Sequence, residues 1–247
     1  MGNDIVALLS AFAAVIASVI ASVLAIRGQT RLTKLQAELA EKREEKLKKQ
    51  AAEAILSKYR EPLVNAAFEL QGRIFNILRL NFLGAFYLNG NEREKQYAVE
   101  NTIYVIAQYF GWTEIIRLDS QFLYLGELET TKKLAALQNN ICDLFLDSRL
   151  EKVLRIFRGE QRAIGESMII NNGSDDYCLG YAQFIQTQDA TFQYWFEPLR
   201  EHIDLLANDP NRYTDRLIQL QHALVDLIDF LDPDCLRYPK ERRMKLQ

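Results

Sequence analysis

The chain has 247 residues, about half of them apolar and about a quarter charged, which is ordinary globular usage and excludes disordered, collagenous and low-complexity classes. Three widely spaced cysteines, an odd number, exclude a disulfide-stapled secreted scaffold. The net charge of −3 divides into −1 over residues 1–26, +5 over 27–60 and −7 over 61–247, so the main part of the chain is a poor match for a phosphate backbone and no nucleic-acid partner is expected.

Ile5 to Ile26 is an uncharged run of 22 residues. As a helix it spans about 33 Å, enough for a hydrocarbon core of about 30 Å. It is longer than a signal-peptide core and has no Lys or Arg before it, so residues 1–27 are expected to form a single transmembrane anchor rather than a cleaved leader. Arg27, Arg31 and Lys34 follow at once and are expected to contact the membrane surface. The same bias places the N-terminus outside and the rest of the chain on the cytoplasmic side of the inner (plasma) membrane, in a single pass. Ser10, Ala14, Ser18 and Ser22 recur every four positions. Small residues at that spacing let helix backbones approach closely, which predicts a homo-oligomer associating through the membrane helix.

Residues 28–61 read as a long charged helical stalk. Glu38–Lys42, Glu44–Lys48 and Glu45–Lys49 are i,i+4 pairs, each supporting an exposed helix by about 0.2–0.5 kcal/mol. Gly28 is expected to loosen the joint to the anchor, and Thr33 with Gln36 to form a capping box. Leu32, Leu35, Leu39 and Leu47 outline a coiled-coil seam that Arg43 and Lys46 interrupt.

Pro62 suits the first turn of a new helix, and residues 62–235 are expected to form a compact multi-helix cytosolic domain. Leu63, Ala67, Leu70, Ile74, Ile77, Leu78 and Phe82 lie on one helical face. A second helix runs through Tyr97 to Phe110 and is expected to break at Gly111, with a third over Thr113–Leu125 and a fourth over Leu128–Leu146. Asp189–Ala207 and Tyr213–Leu231 are two clear late helices, bounded by Pro210 and Pro233. Before them, Asn172-Gly173 separates two short apolar runs, which reads as one short β-hairpin near 168–180 or as a loop entering a helix at about Leu179. The fold class is therefore all-α, apart from that hairpin. Residues 236–247 are expected to be a solvated basic C-terminal tail.

The chain lacks the glycine-rich phosphate loops and the nucleophile elbow of common catalytic folds. Cys142, Cys178 and Cys235 form no C-x-x-C pair, and His202 and His222 are the only imidazoles. His222 and Asp226 share a helix face but lack a third ligand nearby in sequence. No metal or other cofactor and no catalytic residue set is expected. The best ligand candidate is the stretch Arg158, Glu160, Arg162 and Glu166, where arginines one helical turn apart suit a phosphate, a nucleotide or a carboxylate, although an ion-pair network holding the domain together, with Glu160 and Glu166 as counter-charges, is the more common use of such a pattern. Gly159 and Gly165 in the same helix point to a close approach by another helix or a ligand. The aromatics Tyr177, Tyr181, Phe184, Phe192, Tyr194, Trp195 and Phe196 read as core or as the lining of a second pocket.

These features lead to the expectation of a non-enzymatic scaffold, assembly factor or complex subunit. It would be held in the lipid bilayer, self-associate there, and present a helical domain to a protein partner in the cytosol. The alternatives are a membrane-bound sensor or enzyme binding an anionic small ligand at Arg158–Glu166, and a membrane effector that oligomerises on a signal.

Overall fold

The computed structural model describes residues 2–120, 129–171, 173, 176–187, 189–209 and 212–247, and the side chains of these except residues 2–8, 10–15, 17, 52, 55, 56 and 120. The protein is predominantly helical, with little strand. It divides into two units, Met1–Gln50 and Ala51–Gln247.

The first helix, α1 (Gly2–Arg79), is continuous through Gly28 and through Pro62. Both expected breaks are thus corrected. Gly28 opens no joint, and the Thr33 hydroxyl bonds back to the Gln29 carbonyl at 2.9 Å instead of capping a new helix. An interior proline costs about 3 kcal/mol, but Tyr59, Leu63, Val64, Ala66 and Ala67 around Pro62 are all buried. Their packing outweighs the local penalty. In the first unit the described side chains are exposed, including Leu32, Leu35, Leu39 and Leu47, and Glu44 and Lys48 close their ion pair at 2.8 Å. Among the described residues no helix is long and apolar enough to cross a membrane. Most side chains of residues 5–17, including those of Ser10 and Ala14, lie outside the described set; Ser18, Ser22, Arg27, Arg31 and Lys34 are exposed.

In the second unit α1 leads to a π-helical turn (Gly84–Leu88) and then to α2 (Glu92–Ser120). Asn91 and Glu94 cap α2 reciprocally, each side chain accepting from the other's backbone N–H at 3.1 and 2.8 Å. The expected break at Gly111 is also corrected, because α2 runs straight through it. A Cβ there would lie 2.7 Å from Cys178 Sγ and 2.9 Å from Met168 Cβ, so this glycine marks a close approach and not a helix end. The predicted Thr113–Leu125 helix is therefore the second half of α2 as far as Ser120, and residues 121–125 lie outside the described residues.

α3 (Glu129–Leu146) and α4 (Arg158–Ser167) follow. Strands β1 (Ile169–Asn171) and β2 (Asp176–Cys178) form an antiparallel hairpin that pairs Ile169 with Cys178 and Ile170 with Tyr177. Two such strands are marginal alone, and the Gly111 approach supplies a helical support. Next come α5 (Tyr181–Gln186), α6 (Ala190–Asn208) and α7 (Asp215–Leu231). One core joins α1 residues 59–77 to α2, α3, α4, α6 and α7.

Residues 236–247 are not a solvated tail. Tyr238 stacks on Phe68 with ring centroids 3.6 Å apart, and Leu246 is buried. Gln221 of α7 donates to the Met244 carbonyl at 2.9 Å and accepts from the Leu246 N–H at 3.1 Å. Gln71 of α1 donates to the Arg242 carbonyl at 3.1 Å. Arg243, 3% exposed, pairs with Asp229 at 3.2 Å and donates to the Asp232 carbonyl at 3.0 Å. Arg243 and Lys245 answer carboxylates on α7 and just after it, and Arg237 pairs with Glu61 of α1 at 3.2 Å.

Candidate functional site

α4 carries the four predicted ligand residues, and the structure gives them separate tasks. Phe157 precedes the helix in an extended conformation, and the Glu160 carboxylate accepts its N–H at 2.7 Å. Glu160 thus serves as a helix cap. Arg158 reaches across to Asp143 of α3 at 2.6 Å. Arg162 and Glu166 are exposed. Arg158 and Arg162 line a cavity of about 280 Å³ between α2, α3 and α4, whereas Glu160 lines a different one of about 280 Å³ beside His202, Tyr194 and Trp195. The predicted quartet is therefore split, and only its two arginines share a site.

The first cavity gains residues that periodicity alone does not reveal. Arg117 enters from α2, bound by both oxygens of the buried Glu114. These hydrogen bonds, with a smaller contribution from the charge of Glu166, raise the guanidinium pKa. Gln161, 3% exposed, donates to the Cys142 and Ile156 carbonyls at 2.9 and 2.8 Å. That anchors its amide and leaves Oε1 as a buried acceptor with no partner among the described residues. Gln138 of α3 contributes a buried Nε2 donor in the same condition. Arg117 and Arg158 are already paired with Glu114 and Asp143, so the exposed Arg162 adds the further guanidinium at the cavity, a group that suits a phosphate or carboxylate. The Cys142 thiol beside it is pushed up by burial, against the pull of Arg158 and Arg162, so it stays protonated and is a poor nucleophile.

The two glycines of α4 are not equivalent. A Cβ on Gly165 would lie 2.8 Å from the Phe110 carbonyl oxygen and 2.9 Å from Glu114 Cβ, whereas one on Gly159 would meet nothing within 4 Å. The close approach is α2, at Gly165 alone.

The remaining candidates resolve into structural roles. Phe184, Phe192 and Phe196 are buried core with ring centroids 4.8–5.6 Å apart. Tyr194 and Trp195 line the His202 cavity, and Tyr177 is exposed. Burial lowers the pKa of His202. His222 Nε2 lies 2.6 Å from the Leu246 carbonyl, and Asp226 pairs with Lys245 at 2.7 Å, so neither faces a shared ligand. Among the described residues no group of three His, Cys, Asp or Glu converges as metal ligands would. Cys178, which packs from β2 against Gly111 of α2, has its thiol pushed up to about 12 by burial.

Tyr181 lines a further cleft with Arg73 of α1. Arg73 sits three residues after Leu70 and four before Ile77, on the apolar face of its helix. A charge embedded in an apolar stripe was the sequence signal for that site.

The fold places the protein among all-α chains. No family model, curated protein or solved structure matches it.

Proposed function

We propose that the protein is a non-enzymatic scaffold or complex subunit, held in the inner (plasma) membrane by residues 1–27 with its N-terminus outside. In this reading it self-associates through that helix and presents its helical domain to a protein partner in the cytosol. One observation carries the reading. Ile16, Val19, Ile20, Val23, Leu24 and Ile26 are all exposed within a run of 22 uncharged residues. At about 100° per residue these side chains fall on one face, and Ser18, Ala21, Ser22 and Ala25 on the other. Each large side chain gains about 1.5–3 kcal/mol on leaving water. A lipid-facing apolar side and a small-residue side for a second helix satisfy both faces.

The test is membrane fractionation of the full chain and of Ile16→Arg. The native chain is expected to stay with membranes through alkaline carbonate. The variant, carrying a charge near the bilayer centre at a cost of about 2.5–3.5 kcal/mol, is expected to be released. Release of the native chain, or equal retention of both, refutes the anchor. Cross-linking of Ser18→Leu and Ser22→Leu then tests self-association, which should fall while membrane retention persists.

A second reading, a membrane-bound sensor of an anionic small ligand, is favoured by the convergence of Arg117, Arg158 and Arg162 on one cavity. Inorganic phosphate and nucleotides should raise the melting temperature, and Arg162→Ala should abolish that shift. Absence of any shift, or an unchanged one in the variant, removes this reading.

A further inference from the structure

Three arginines of the second unit are nearly sealed from solvent, and they are not equally provided for. Arg216 donates to the backbone carbonyls of Leu144, Phe145, Asp147 and Glu151. Arg243 has Asp229 and Asp232 within 3.2 and 3.8 Å. Each has a buried Nε with no partner among the described residues. Arg73, 8% exposed, has no carboxylate in an ion pair among the described residues. Its Nη2 donates to Asn101, its guanidinium carbon lies 3.9 Å from the Phe82 ring centroid and 5.7 Å from that of Tyr97, and its Nη1 is buried with no partner among the described residues. Ring faces attract a cation, but they replace only part of the solvation that a buried charge gives up. Burial accordingly lowers the pKa of this guanidinium, with the Tyr97 and Tyr181 phenols acting the other way.

Arg73 lines a cleft of about 590 Å³ between α1, α2 and α5, within the range of small-molecule sites. Gln108 of α2 lines the same cleft. Its Nε2 donates to the Tyr104 hydroxyl at 3.3 Å, and its Oε1 is buried without a partner among the described residues. Glu69, one turn before Arg73 on α1, adds a carboxyl whose pKa is raised by burial. The rings of Tyr97, Tyr104 and Tyr181 form the apolar wall, with Tyr181 edge-on to both others at centroid distances of 6.4 and 5.2 Å. The cleft therefore combines an unmatched cationic donor, an unmatched neutral acceptor, a carboxyl group and an aromatic wall.

We propose that this cleft binds a zwitterionic small molecule of the aromatic α-amino-acid class. Its carboxylate supplies the counter-charge that Arg73 lacks. Its amino group donates to Gln108 Oε1 and to Glu69. Its ring packs among the tyrosines. A simple anion satisfies only the first of these groups and meets the Glu69 carboxyl, and a simple amine faces the uncompensated Arg73.

The test is calorimetric titration and thermal shift of the full chain in mild detergent. The probes are L-phenylalanine, phenylalaninamide, 3-phenylpropionate and inorganic phosphate. Phenylalanine should bind saturably and raise the melting temperature. The amide, which lacks the carboxylate, and the propionate, which lacks the amine, should each bind at least tenfold more weakly, and phosphate should not compete. Equal binding of amide and amino acid, binding of phosphate alone, or no binding of phenylalanine overturns the proposal. Arg73→Gln should lose at least tenfold in affinity for phenylalanine while Arg162→Ala, at the α2–α3–α4 cavity, keeps it; the reverse places the ligand elsewhere. If Arg73→Gln does not fold, the ligand series decides alone, because it uses only the native chain.

Discussion

Leu39 and Leu70 belong to the same helix and meet opposite fates. Leu32, Leu35, Leu39 and Leu47 of the first unit are exposed, whereas Leu63, Leu70, Ile74 and Ile77 in the second are almost wholly buried. Helix propensity and residue type are alike in the two stretches, so neither explains the difference. What differs is the surroundings. The second stretch shares a core with α2, α6 and α7, and the first is interleaved with Lys, Arg and Glu that keep their solvent. Helix formation and burial are thus separate decisions, the first local and the second made by partners.

The sharpest way to break that contrast is to remove a tie of the packed unit and leave the exposed one alone. Arg216→Met strips four backbone carbonyls of their donor and is expected to cost about 3–5 kcal/mol in urea unfolding. Leu39→Ser is expected to change it by less than about 0.5 kcal/mol. A loss above 1 kcal/mol at Leu39 would mean that another chain covers the seam.

The next largest effect separates two glycines of α4. Gly165→Ala forces a methyl against the Phe110 carbonyl and Glu114 and is expected to cost about 1–3 kcal/mol. Gly159→Ala meets open space and is expected to stabilise by about 0.5–1 kcal/mol. Melting curves of the pair decide it, and equal shifts would refute the close α2–α4 approach.

The smallest effect is a pH dependence. Burial holds the pKa of His202 below its ordinary value of 6.5. Above that value the imidazole is neutral in both states and the contribution is complete. Below it the unfolded chain takes the proton first, so stability falls as pH drops from 6.5 through the lower folded-state value. His202→Gln should flatten that slope, and an unchanged slope assigns it to other groups.

Much of the helical order was legible in the sequence. The α3, α6 and α7 spans follow from apolar spacing and their bounding residues, and of the two readings open around Asn172-Gly173, of which Asn172 lies outside the described residues, the strands 169–171 and 176–178 favour the hairpin. The errors have a common cause. Pro62 and Gly111 are helix breakers by local rule, but each sits where flanking side chains or a tight contact outweigh the local cost. The basic segment 236–247 read as solvated because Asp226, Asp229, Asp232 and Gln71, which receive it, are marked as its partners by no short spacing. At the candidate sites Arg158 and Arg162 were visible as a helical pair. Arg117, Gln138 and Gln161 were not, since they come from three different helices or look like ordinary polar positions.

By itself the sequence determined the all-α class, the places of most helices and the uneven charge, because these depend on periodicity and composition over short spans. Only the tertiary structure decided which breakers are overridden, that residues 236–247 pack against α1 and α7, and that the arginines of α4 share a cavity with Arg117 while Arg73 is buried without a carboxylate. Those outcomes depend on contacts between residues far apart in the chain, where packing, charge pairing and desolvation outweigh local preference.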